Sequence, residues 1–337
     1  MKPSTQLCKI ILAFKLCHLS NSFGFMPGNQ LSSRSPSLQR NSAHVLRAEG
    51  GPPQYDKTYG KIATVETVGL GSAMIHVECD EPTGYQPGHV FALEIEHPND
   101  ETSNIPNAKS NQNAADNGGW MRGPYTISRG TENSFDVLMK VVGDRSKAFS
   151  LAPIGTSVRF GGKFHTPIID GIEKDSTKRV VLLSTGVGVG PCVGAIEDAL
   201  KDTSFPPIEL YASYKTKEEV VYSEYLDGMA ANHATKFLWK PVITSDTGRV
   251  SATVDNVKIV AGAPLSSLND LSLTDTHYHL IGNGQMVKEW KSGLEKAGVP
   301  DEKVTVESYF NGKMAPNQDA IDNISTVIAA SFSKVTV

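Results

Sequence analysis

The run Thr185-Gly-Val-Gly-Val-Gly-Pro191 has the residue types and spacing of a phosphate-binding turn. Its glycines let the main chain approach a pyrophosphate, and Pro191 in a first helical turn forfeits no needed hydrogen bond. A helix opening there presents free N–H groups and a positive dipole end to phosphate. The flanks supply the elements that must hold this turn. Val180–Leu183 is a continuous apolar run, as in a buried parallel strand, and residues 191–201 follow a helical pattern.

From Arg179 onward strand and helix alternate. Strands are predicted at 179–184, 208–214, 237–244, 277–282 and 303–310, and helices at 191–201, 217–231 and 285–297. That alternation specifies a parallel, doubly wound α/β sheet. Upstream, residues 61–68, 73–79, 89–96 and 135–142 form short strand-like runs with turn residues close to their ends. They predict an antiparallel β-barrel, so the glycine turn opens a second domain. Between Pro98 and Trp120 the chain is dominated by Asn, Asp, Ser and Ala and reads as a disordered insertion. Ile321, Ile324, Ile328 and Phe332 have near-helical spacing and predict a terminal helix docked on the surface.

The first 48 residues carry six basic side chains and no acid. Lys2 and Lys9 precede the short apolar stretch Ile10–Phe14, which suits a signal peptide, and the Ser- and Arg-rich residues 27–47 have transit-peptide composition. Asn21-Ser-Phe-Gly-Phe-Met-Pro27 resembles the aromatic cleavage site of two-part presequences for complex algal plastids. A plastid destination is therefore expected, with secretion as the alternative. Loss of this leader takes the formal charge from −4 to about −10. So acidic a body is a poor nucleic-acid binder. No other segment is long and apolar enough to suggest an integral membrane span. Only Cys79 and Cys192 lie beyond the leader, too few for a four-thiolate cluster or a disulfide framework. His165, His277 and His279 lack metal-ligand spacing and read as packing or surface residues.

A glycine turn alone also fits methyltransferases and short-chain dehydrogenases. Both usually place it near the start of the catalytic domain, whereas here it lies mid-chain. No acid ends the second strand, Tyr211-Ala-Ser-Tyr-Lys215, to hold a ribose 2′-hydroxyl.

Other segments supply the context. Arg122-Gly-Pro-Tyr-Thr-Ile-Ser128 precedes one β-run and Gly143-Asp-Arg-Ser146 closes it. Gln86-Pro87-Gly88 leads into a strand; Glu218–Tyr225, Ile281-Gly-Asn-Gly-Gln-Met286 and Val306-Glu-Ser-Tyr309 follow in order. In these motifs, and in the glycine turn, residues 57–310 resemble the ferredoxin–NADP reductase superfamily of flavoproteins.

The resemblance implies an antiparallel β-barrel FAD domain (55–170) followed by an α/β doubly wound NAD(P)-binding domain (177–312), with a leader (1–48) and a tail (313–337). It implies an FAD-dependent oxidoreductase that passes hydride from NADPH, or NADH, to the flavin. Electrons would go on to an acceptor protein or small molecule. Arg122 would meet the FAD pyrophosphate, Tyr125 would pack on the flavin or its ribityl chain, and Thr126 would lie near N5. Ser128 belongs to the same motif, and Gly143 and Ser146 would reach the phosphates. Thr185, Gly186, Gly188, Gly190, Pro191, Gly282, Gly284 and Met286 would shape the nucleotide site. Tyr309 or Phe310 would shield the flavin ring, with Thr126 and Glu307 as the catalytic polar pair.

The chain departs from the family pattern in several places. Two residues, not one, separate Arg122 from Tyr125, so Arg129 or Arg145 is an alternative pyrophosphate ligand. Ile281 stands where many relatives have cysteine, and the chain runs on past the aromatic end. Ser245 occupies the region of the 2′-phosphate grip and is followed by Asp246; Lys215 and Arg249 are alternative sources of positive charge. NADPH is the expected donor. Two rival readings remain: a non-catalytic, regulatory protein that binds flavin or nucleotide, and a dehydrogenase without flavin.

Overall fold

The computed structural model describes residues 56–96, 119–247, 273–310 and 317–333. The chain divides into two units, 1–49 and 50–337, and all described residues fall in the second. The leader, nearly all of the 98–120 insertion, and Arg249 lie outside the described residues.

Strands β1 (Thr58–Thr67), β2 (Ser72–Cys79), β3 (His89–Glu96), β4 (Trp120–Thr126), β5 (Arg129–Gly130), β6 (Ser134–Lys140) and β7 (Ser157–His165) form one antiparallel sheet. Their order is β4-β3-β7-β1-β2-β6-β5. The two ends of that order are one stretch of chain. Ile127 N–H bonds to His89 O on β3, and Ser128 N–H bonds to Asp136 O on β6, each at 2.9 Å. The segment from Trp120 to Gly130 therefore joins both edges and rolls the sheet into a barrel. Phe91, Phe135 and Phe160 fill it, with ring centroids 4.7–5.3 Å apart. A short helix, α1 (Asp144–Ser150), crosses between β6 and β7.

The second sheet holds β8 (Arg179–Thr185), β9 (Ile208–Tyr214), β10 (Phe237–Ile243), β11 (Thr276–Asn283) and β12 (Val304–Phe310), all parallel. Its order is β10-β9-β8-β11-β12, and it is wrapped by α2 (Val189–Lys201), α3 (Ser223–Asn232), α5 (Gly284–Lys296) and α6 (Gln318–Ser333). A single turn, α4 (Thr244–Thr247), follows β10. Alternate residues of β8 feed opposite cores, as a period of two requires. Val180 and Leu182 pack with α2 and Leu226 of α3; Val181 and Leu183 pack with Trp290 of α5 and Ile324 of α6.

Two expectations need correction. The helix expected over 217–231 is broken into a 3₁₀ turn at Lys217–Glu219 and α3, because Val221 is buried and Tyr222 adopts a left-handed conformation (φ 61°). From there the Tyr222 hydroxyl reaches the Met74 sulfur in the barrel, at 3.4 Å. The tail helix does more than rest on the surface: Ile324 and Ile328 enter the sheet's second core, and Ile324 fills the space above Gly293.

Candidate functional site

Two clefts meet where the barrel faces the carboxyl ends of the parallel strands. The smaller, of about 340 Å³, lies at the crevice between β8 and β11, where the strand order reverses and α/β sheets bind ligands. Thr185, Gly186, Gly282, Asn283 and Met286 line it, with Ser213, Tyr214, Lys215 and Thr244 from the neighbouring strand ends. The two turns are bolted together: Thr185 Oγ1 accepts the Asn283 N–H at 2.7 Å. Only glycine fits at 282, where φ is +121° and a Cβ would fall 2.3 Å from Thr185 Oγ1. Gly188 serves the same close approach, since its Cβ would sit 3.0 Å from Ile281 O. Asn283 then caps α5, its side chain accepting from Gln285 and Met286 N–H, so Gly284 sits buried inside the first turn.

The larger cleft, of about 720 Å³, runs along the barrel's outer end. Gly123, Pro124, Tyr125 and Thr126 of β4 line it, with Val142, Gly143, Arg145 and Ser146 at the start of α1, and Glu307, Ser308 and Tyr309 of β12. Lys140, Val187 and Tyr309 line both clefts, so the two spaces share a wall. Thr126 donates to Glu307 Oε1 across the seam. Burial pushes the Glu307 carboxyl above the usual carboxylate range, and the Thr126 hydrogen bond opposes that shift. Glu307 Oε2 is buried in this wall with no hydrogen-bond partner among the described residues. Burial, with Glu307 beside it, likewise holds the Tyr309 phenol well above its ordinary value. Tyr125 lies over Gly123 and meets Phe149 edge-on at 5.3 Å; burial pushes its phenol up to about 12.

Several expected ligands stand elsewhere. Arg122 does not line the cleft. β4 pairs with β3 without a bulge, so residues three apart point to opposite faces, and Arg122 lies 3.6 Å from Glu94 on the far face. Lys57 and Arg159 join it there, their cations holding the buried Glu94 carboxyl below its ordinary value against the opposing effect of burial. The position two before Tyr125, where the family's arginine would point into the cleft, is Gly123. Arg145 is the guanidinium that lines the cleft, whereas Arg129 lies in the domain seam.

Ser128, Gly190 and Pro191 are also away from the clefts. Ser128 is fully buried and its Oγ accepts the Leu138 N–H at 3.0 Å. A Cβ on Gly190 would meet that Oγ at 2.4 Å, so the third glycine of the turn serves domain–domain packing. Ser146 does face the cleft, but its hydroxyl is engaged by the turn, accepting from Val142 and Gly143 N–H and donating to Gly143 O. Ser245 bonds to Asp246 and sits behind Thr244, outside the lining. An acid from beyond the second strand, Glu219, does reach the smaller cleft. The 3₁₀ turn folds it back so that its Oε2 accepts the Lys215 N–H at 3.1 Å, inside the nucleotide cleft. Lys140, at the junction of both clefts and 3.8 Å from Glu219, carried no motif signal. His277 and His279 are core residues on Thr305, at 3.2 and 2.8 Å, and burial lowers their pKa values to about 4 and about 3.

Residues 182–292 match the family model of the oxidoreductase NAD-binding domain. The chain is similar to a ferredoxin–NADP⁺ reductase from Neisseria gonorrhoeae with bound FAD and NADP. The TM-score is 0.59 at 18% identity, over 76% of this chain and 100% of that one. A ferredoxin–NADP⁺ reductase from Plasmodium falciparum gives 0.56 at 16% identity, over 76% of this chain and 98% of that one. Among curated proteins, an NADH nitrate reductase of Volvox carteri is 29% identical over 158 residues, 38% of this chain and only 18% of that protein's length. Residues 182–292 thus match an oxidoreductase NAD-binding domain, and the chain shares the fold of these two ferredoxin–NADP⁺ reductases.

Proposed function

We propose that this protein is an NAD(P)H-dependent flavoprotein oxidoreductase with FAD in the larger cleft. The observation that carries this reading is the shared wall: a dinucleotide turn and a barrel cleft meet at Lys140, Val187 and Tyr309. Bound FAD would supply the hydride acceptor and pass electrons onward. The residues present suit that group. Arg145 offers a guanidinium to a diphosphate, Tyr125 a ring to stack, and Glu307 Oε2 a buried oxygen awaiting a partner. Thr126 donates to Glu307 at the cleft wall, and Tyr309 lines the junction of the two clefts.

The expectation of NADPH rests on Ser245, Lys215 and the lack of an acid at the second strand end. A second reading, NADH, is favoured by Glu219 inside the nucleotide cleft and Asp246 on Ser245, since both repel a 2′-phosphate. The acceptor is a protein or small molecule; the acidic body disfavours a strongly acidic protein partner. The leader's composition supports delivery to a plastid.

One experiment tests the core of this. The purified protein should show a bound-flavin spectrum that bleaches on anaerobic addition of reduced nucleotide, faster with whichever donor it prefers. Protein that takes up no flavin even when refolded with excess FAD would refute the proposal. A yellow protein that neither nucleotide bleaches would favour a regulatory, non-catalytic role.

A further inference from the structure

The barrel and the nucleotide domain touch at several places besides Thr126–Glu307, among them Tyr222–Met74 and Lys140–Glu219, and at one of them a single side chain makes most of the contact. Arg129 leaves the barrel's closing segment and reaches Glu197 on α2, with Nη2 3.1 Å from the carboxylate. The same guanidinium lies over the Tyr225 ring of α3, 4.8 Å from its centroid, and Tyr225 donates its hydroxyl to Glu197. Beneath this cluster the Gly194 N–H of α2 bonds across the seam to Ser128 O at 3.0 Å.

We infer that Arg129 is a positioning residue that clamps the two domains at the separation hydride transfer needs. This rests on the flavoprotein reading above. The geometry is a closed loop of stiff parts. Thr126 at the flavin cleft and Arg129 at the clamp are three residues apart on one strand segment, about 10 Å. Val187 at the shared wall precedes α2, and Glu197 lies two turns into that helix, about 12 Å from its start. Fastening Arg129 to Glu197 therefore fixes the angle between β4 and α2, and with it the distance between the two cleft walls. Thr126–Glu307, Tyr222–Met74 and Lys140–Glu219 hold the seam elsewhere, and Arg129–Glu197 is the charged fastening on α2 itself. The clamp contacts neither cofactor cleft, so its loss acts on geometry and not on binding.

The test compares flavin-loaded wild type with Arg129→Gln and Arg129→Lys. Single-turnover flavin bleaching at saturating nucleotide should slow about ten-fold in Arg129→Gln, while nucleotide Kd and flavin content hold. Arg129→Lys should recover part of the rate, and 1 M salt should slow the wild type toward Arg129→Gln. Hydrogen exchange at the Gly194 amide, which needs no cofactor, should quicken in Arg129→Gln. An unchanged bleaching rate with unchanged Gly194 exchange overturns the inference, as does a fall in nucleotide affinity that accounts for the whole loss of rate. Wild type that never bleaches sinks the functional reading, yet faster Gly194 exchange in the variant would still uphold the clamp.

Discussion

The smaller cleft and the larger cleft lie side by side but are built by different means. The first is made of main chain: two turns bonded through Thr185 and Asn283, with glycines where side chains cannot fit. The second is made of side chains projected from a strand, β4, and a short helix, α1. A site made of turns tolerates changes in the residues between its fixed points. A site projected from a strand does not, because one extra residue sends a side chain to the opposite face. Arg122 shows this: moved one place further from Tyr125, it neutralises Glu94 on the far side of the sheet.

The largest effect should come from breaking the main-chain site. Gly282→Ala places a Cβ within 2.3 Å of Thr185 Oγ1 and 2.8 Å of Thr185 O at a φ of +121°. Strain there costs about 1–3 kcal/mol before the clash is counted, so nucleotide affinity should fall by about 100-fold. Gly186→Ala is the control within the same cleft. Its φ is +53° but nothing lies within 4 Å of the added Cβ, so the loss should be much smaller. Titration of nucleotide into both variants gives the ratio; equal losses would refute the tight-bolt account of residue 282.

The side-chain site gives a contrast of opposite design. Arg145→Gln should weaken FAD binding about ten-fold, the loss of one charge-assisted contact to a diphosphate. Arg122→Gln should leave FAD affinity unchanged and lower stability by about 1 kcal/mol or less, because Lys57 and Arg159 remain on Glu94. Fluorescence titration of the apoprotein separates the two. Weaker flavin binding in Arg122→Gln would contradict the parity argument.

The same contrast explains how far the sequence could be read. The parallel strands were legible to within a residue or two, most plainly β8, which is buried on both faces and therefore reads as an apolar run. β7 gave a weaker signal: Gly161-Gly162 interrupts its alternation, and its register against β3 shifts between Val90 and Ala92. The glycine turn was legible as a phosphate site, but the separate task of Gly190 was not, since packing on Ser128 is a contact between domains. Glu219 was hidden for a related reason. A strand-end acid is sought by its distance along the chain, and here a broken helix returns it from five residues beyond β9. Ile324 and Ile328 had the right period for a helix, but only the space over Gly293 made them core.

The smallest effect concerns the Thr126–Glu307 bond between the two domains. Glu307 belongs to the nucleotide domain's last strand yet lines the larger cleft, and burial raises its pKa above the ordinary 4.5. The unfolded chain therefore releases this proton at lower pH than the folded one. The contribution of Glu307 to folded stability is fully present below pH 4.5, falls as pH rises toward the raised value, and is lost above it. Glu307→Gln keeps a hydrogen-bonding partner for Thr126 but has no proton to lose. The difference in Tm between variant and wild type should thus move in the variant's favour between pH 4.5 and neutrality, by a few degrees at most. Curves that stay parallel across that range would mean that Glu307 is ionised in the folded protein. The bond across the seam would then be an ordinary charged contact.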